Sequence, residues 1–188
     1  MSRAAQSETS ISKETQIPRT EDVKMVNIAS VLLDGFTHEA KQVRVVIETT
    51  QGVDPKFRAK DGMRTIRELS NHLAQTPKMD LAILAGEITK PEQAQTMEKQ
   101  LNRESLTDIL KVFDEGVESV SKYVKRLTDK EVLDPKIKPF YEQGPPRRWA
   151  DYIQELTTHL AMHKMQLWMY LKLAGKQVDM MTYYGISH

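Results

Sequence analysis

Four stretches of this chain place apolar residues at steps of three and four, and no stretch alternates apolar with polar residues for more than a few positions. That spacing draws one apolar stripe along a helix, so the chain must bury its apolar residues by packing helices stripe against stripe. The first pattern runs from about Glu21 to Thr49 through Met25, Ala29, Leu32, Phe36, Ala40, Val43 and Ile47. The second begins at Thr65, where Thr65-Ile66-Arg67-Glu68 has capping-box spacing, and continues through Ile66, Leu69, Leu73, Leu84 and Ile88. The third, capped by Ser105 with Asp108, carries Leu106, Ile109, Phe113, Val117, Val120, Val124 and Leu127. The fourth runs from about Arg147 to Ala174 and stops at Gly175, with Trp149, Tyr152, Leu156, Leu160, Leu167 and Tyr170 facing inward. With 188 residues the chain has the length of one domain with a full core. The expected fold is all-α, a four-helix bundle over residues 21–188, preceded by a flexible polar tail over residues 1–20.

The connections refine this picture. A linker with Gly52, Asp54, Pro55, Asp61 and Gly62 closes the first helix. Pro77 interrupts the second stripe, which predicts a kink near His72 and a backbone carbonyl left without its helical donor. Residues 89–104 read as a long polar connection with Pro91 near its start. Extended, they reach about 45 Å, more than a twenty-residue helix spans, so a crossover between the second and third helices is allowed. A turn-rich stretch containing Pro135, Pro139, Gly144, Pro145 and Pro146 separates the third helix from the fourth.

Three histidines fall on the inward faces. His159 and His163 are one helical turn apart on the fourth helix, and His72 lies beside Leu69 and Leu73 on the second. Imidazoles at that spacing can chelate a divalent cation, and a third histidine leaves positions open for water or substrate. Without a metal, the same residues would be hydrogen-bonded core histidines, each nitrogen needing a partner. His38 sits opposite the first stripe and belongs to the solvent face. A carboxylate-bridged di-iron centre would require inward Glu-x-x-His pairs on two helices; Glu155 lies off the inward face, and neither Glu68 nor Glu87 has a histidine three residues on. Arg147, Arg148 and Lys164 could hold an anionic substrate, or simply form a solvated helix start. The ten methionines read as core filler rather than a binding surface.

Composition excludes several classes. The formal net charge is +1 and no basic stripe with interleaved aromatics occurs, so nucleic acid is not the expected partner. There is no cysteine, hence no thiolate ligand, cysteine nucleophile or disulfide. No apolar run has the length of a membrane span or a leader segment, and a cytoplasmic location is the default expectation. No P-loop, G-x-S-x-G, G-x-G-x-x-G or H-E-x-x-H motif is present.

His159-x-x-x-His163-Lys164-Met165-Gln166-Leu167, followed by Tyr170-Leu171-Lys172-Leu173-Ala174-Gly175, resembles the last helix of DinB/YfiT-like proteins. Thr65 to Ala74, with its single His72, is similar to that family's second helix. Leu127-Thr128-Asp129-Lys130-Glu131 and the terminal Thr182-Tyr183-Tyr184-Gly185 are similar to further family segments, so the resemblance spans roughly residues 22–185. Lys164 and Met165 stand where the family commonly has Arg and Gly. The resemblance implies a bundle, often a homodimer, whose His72, His159 and His163 hold a divalent metal ion (Zn, Ni, Fe, Mn or Co) in an open site. It also implies, for some members, transfer of a low-molecular-weight thiol such as bacillithiol, mycothiol or glutathione to a small-molecule substrate.

Three functions are therefore compatible with the sequence: a metal-dependent hydrolase or thiol transferase, a non-catalytic metal-binding stress protein, and a helical adaptor with core histidines. In the first, Gln166 is expected to hydrogen-bond a ligand histidine or bound solvent. Ligation needs neutral imidazole, so acidification through about pH 6 is expected to expel the ion. Val31, Gly35 and Val45, off the first core stripe, are candidates for an intersubunit face.

Overall fold

The computed structural model describes residues 27–186, so the tail expected at 1–20 and the start of the first pattern, Met25 included, lie outside it. Seven helices follow in order: α1 (Ile28–Glu48), α2 (Ile66–Leu84), α3 (Pro91–Leu101), α4 (Leu106–Val124), α5 (Asp129–Leu133), α6 (Trp149–Leu173) and α7 (Met180–Tyr183). The described residues contain no β-strand, only an isolated antiparallel bridge between Ile137 and Arg147. No helix among them is long and apolar enough to cross a membrane.

The four long helices pack as a ring in the order α1, α4, α2, α6. Arg67 pairs with Glu104 just before α4, and Pro77 faces Gly116 midway along it, so α2 and α4 run parallel. His72 meets His163 while Asp80 meets His159, so α2 and α6 are antiparallel. Thr50 and Ile109 line one groove and Thr37 and Glu118 another, which sets α1 antiparallel to α4. A parallel α2–α4 pair requires the chain to return from one end of the bundle to the other between them. Helix α3 makes that return.

Most of the connection expected at 89–104 is therefore helical. Pro91 occupies the first helical position, where its missing N–H costs nothing. Only Leu101 of α3 is buried, with Ala94 and Met97 partly buried on the same face, an apolar edge too thin to mark a helix in the sequence. Polar contacts from α2 fix its C-terminal end. Asn71 accepts from the Arg103 backbone N–H at 2.8 Å and donates to the Arg103 carbonyl at 2.8 Å. Gln75 donates to the Asn102 side chain at 2.8 Å.

The remaining elements follow local chemistry. Thr65 and Glu68 form the expected capping box at the start of α2. Helix α2 continues through Pro77, and a side-chain Cβ at Gly116 would come within 3.2 Å of the Lys78 backbone nitrogen. Glycine thus permits α4 to approach the Pro77 segment closely. Gly175, with φ +82°, ends α6 in the left-handed conformation that glycine accepts without strain. The central core joins Phe36, Val43 and Ile47 of α1 to Leu69 and Leu73 of α2, Phe113 of α4, and Leu160, Leu167 and Leu171 of α6. His38 is exposed, as expected from its position opposite the stripe.

Candidate metal centre

The site forms where α2 and α6 run antiparallel. Four residues separate His159 from His163 on α6, so both rings leave the face turned toward α2. There His72 meets them. One nitrogen from each of the three rings lies within 4.8 Å of the others, a group able to hold a metal ion. His72 Nε2 and His163 Nε2 stand 3.1 Å apart. Nitrogens bound at 2.0–2.1 Å to one tetrahedral ion stand roughly 3.3 Å apart, so the pair is already near ligand spacing. The rings are half-buried rather than enclosed, which differs from the inward placement that their stripes suggest.

Two acceptors orient the rings. His159 Nδ1 donates to the Asp80 carboxylate at 3.3 Å, and His163 Nδ1 donates to the Gln166 side-chain oxygen at 2.9 Å. With Nδ1 carrying the proton, each Nε2 keeps its lone pair for the space between the helices. Gln166 therefore reaches a histidine as its place one turn on suggests. Asp80 belongs to no recognisable motif. Its signal is its spacing: eight residues after His72, it returns to the same face of α2. Asp80→Ala and Gln166→Ala are expected to leave the fold intact and weaken ion affinity by about ten- to a hundredfold each. Competition titration against a chromogenic chelator measures this, and wild-type affinity in both variants would remove their orienting role.

Burial disfavours protonation of two of the rings. Burial, then the Arg64 charge, then His163 and His159 push the His72 pKa down to about 4. Burial also lowers that of His163, partly offset by its bond to Gln166. His72 resists protonation until about pH 4, so it is not the ligand whose protonation would expel an ion near pH 6. The sign for stability follows by linkage. An unfolded histidine protonates near its ordinary 6.5 while folded His72 stays neutral. The metal-free fold therefore loses stability as pH falls from about 6.5 toward about 4, and gains no further penalty from this group below that. Chelation should lower the melting temperature at pH 7.5 and have little effect near pH 4, where even His72 is protonated. An equal effect at both would argue against histidine ligation.

The other candidates are placed differently. Lys164 is 1% exposed and faces away from the histidines, with its ammonium 2.8 Å from the Glu39 carboxylate and donating to Gln42. The ring of Tyr183 from α7 covers it at 4.0 Å. It is a buried structural cation, not an anion-binding group. Arg147 pairs with Glu155 at 2.9 Å and Arg148 with Asp151 at 2.7 Å at the start of α6. Four exposed apolar residues, Met162, Met165, Met169 and Leu173, line the outer face of α6 and are not core filler.

Two clefts reach the histidines. One, of about 690 Å³, includes His159, Asp80, Tyr141, Arg147 and Glu155 in its wall. Burial, with the nearby charges of Asp80 and Glu155, holds the Tyr141 phenol well above its ordinary pKa. The second, of about 460 Å³, includes His72, Arg58 and Arg64.

Comparison with known proteins agrees with this architecture. A family model described as the DinB superfamily matches residues 30–167. A crystal structure of a protein put forward as a DinB family member from Exiguobacterium sibiricum 255-15 superposes with a TM-score of 0.64 at 24% identity, covering 82% of this chain and 97% of that one. At that identity the likeness is one of fold. No curated protein matches the sequence.

Proposed function

The chain belongs to the DinB superfamily, and from that premise we propose that it is a metal-dependent enzyme with His72, His159 and His163 as ligands, most specifically a low-molecular-weight-thiol S-transferase. The observation that carries this reading is the convergence of three imidazoles, two oriented by Asp80 and Gln166, in a group reached by two clefts. His72, His159 and His163 would hold a divalent ion, which would supply Lewis-acid activation of a thiol or water at neutral pH. The residues around the site suit that chemistry. The chain has no cysteine, so the reacting sulfur comes with a cosubstrate. Tyr141, kept protonated, offers an O–H to the cleft beside His159, where an electrophile's leaving group can accept it. His159 and His163 keep their Nε2 lone pairs inward, and nearby Arg64 disfavours protonation of His72.

Open access to the histidines favours catalysis over a metal bound only for stability, since a structural site is closed by protein ligands. The test is consumption of glutathione, bacillithiol or mycothiol with a chlorinated aromatic electrophile by metal-loaded protein. Metal-dependent consumption that disappears in His159→Ala is expected. No consumption with any of the three leaves the bare metal-binding bundle as the better account. We also propose a homodimer, with Val31 and Gly35 exposed on α1 and Val45 half-buried further along the same helix. Sedimentation at tens of micromolar should show a dimer, and a monomer there would reject it.

A further inference from the structure

The cleft on the His72 side is assembled from three segments: the linker between α1 and α2 brings Arg58 and Arg64, α2 brings His72 and Gln75, and the end of α3 brings Glu98 and Asn102. Its two arginines lie near enough to Glu68 to help lower that carboxyl's pKa, behind the cap hydrogen bonds from Thr65, but neither is held by a close partner. Among the described residues, neither guanidinium and not the Glu98 carboxylate forms a side-chain hydrogen bond or close ion pair. Glu68, which also lines the cleft, is engaged in capping α2, its carboxylate accepting from the Thr65 N–H at 2.6 Å. Gln75 adds a second, independent sign. It is 1% exposed, its Nε2 donates to Asn102, and its Oε1 is buried without a donor. A buried acceptor left without a donor is costly and calls for a missing group.

The wall thus offers two donors of positive charge and two acceptors, Glu98 and Gln75 Oε1, beside one histidine of the proposed centre. Arginine forks match carboxylate geometry. Carboxylate and amide oxygens match an ammonium. We propose that this cleft binds the amino-acid-like headgroup of the thiol cosubstrate, its carboxylate on Arg58 and Arg64 and its ammonium on Glu98 and Gln75. This rests on the transferase reading and narrows it: the thiol carries both a carboxylate and a free amine, and the larger cleft beside His159 is left to the electrophile. A thiol bearing neither group is a poor cosubstrate.

The headgroup can be tested apart from the metal. S-methylglutathione carries the carboxylates and the ammonium but has no free thiol to reach an ion. Calorimetric titration of the full chain with it should show saturable binding at millimolar ligand. The Arg58→Ala, Arg64→Ala double variant changes exposed linker residues and should fold normally; its affinity should fall by about tenfold or more, as expected for losing charged hydrogen bonds. The N-acetylated diester of the same peptide, lacking both charges, should bind as weakly to wild type as the parent does to the double variant. His159→Ala should retain wild-type affinity for S-methylglutathione, so loss of the metal centre and loss of the headgroup site are read separately. Absence of saturable binding, equal affinity of the charged and uncharged peptides, or full affinity in the double variant would each overturn the inference. Arginine-dependent binding in a protein that proves unable to hold metal would keep the headgroup site and remove the transferase.

Discussion

Replacing His163 with alanine is expected to abolish stoichiometric binding of Zn²⁺ or Co²⁺ at micromolar concentrations while leaving the helical content unchanged. The variant loses one of three ligands, and with it the nitrogen standing 3.1 Å from His72 Nε2. Two histidines without the third form an incomplete set for a tetrahedral site that keeps one position open. His159→Ala should do the same. The fold should survive because both rings sit half-buried at the α2–α6 seam, outside the central core of Phe36, Leu69, Phe113 and Leu160. The paired readout is thermal: metal should raise the wild-type melting temperature through binding to the native state alone, and should not move that of the variants. Full metal occupancy in His163→Ala would show that the ion is held elsewhere.

The second large effect concerns stability. Glu39→Leu should destabilise the fold by about 3 kcal/mol or more, because it leaves the buried Lys164 ammonium without its carboxylate. For a chain of this length that corresponds to a drop of roughly 6–12 °C in melting temperature. Gln42 and the Tyr183 ring remain against the ammonium and temper the loss. The double variant Glu39→Leu, Lys164→Met should recover most of it, since removing both charges removes the desolvation cost as well. The pair joins α1 to α6 under the ring of α7, so the single variant should also loosen the Met180–Tyr183 turn, visible as faster amide exchange there. Denaturant unfolding of both variants measures the difference. A single variant as stable as wild type would mean that Lys164 finds water or another partner.

The sequence and the folded chain agree where burial writes a period. Ile109, Phe113, Val120 and Val124 recur on one face of α4 and are buried there, and the three histidines lie on helical faces that do meet. Legibility fails where polar contacts replace the stripe. Helix α3 shows only a thin apolar edge of Ala94, Met97 and Leu101, and its end is fixed by Asn71 and Gln75 of α2, whose amides look like surface residues in sequence but are 5% and 1% exposed. Nothing in the spacing of Lys164 marks it as buried, because its partner Glu39 comes from a helix far off in sequence and the register between α1 and α6 is a tertiary fact. Asp80 is intermediate: its eight-residue offset from His72 places it on the right face, but its meeting with His159 depends on the antiparallel pairing of α2 with α6.

The central claim is that three imidazoles form one metal site, and X-ray absorption at the metal edge of Zn²⁺-loaded protein tests it most directly. The expected spectrum has three imidazole nitrogens at about 2.0–2.1 Å and one oxygen donor from solvent, with one ion per chain. Multiple-scattering features should fall by one imidazole in His72→Ala if any ion is retained at high metal concentration. A stoichiometrically bound ion whose spectrum shows fewer than three imidazoles in the wild type, or a protein that binds no divalent ion at neutral pH, would contradict it.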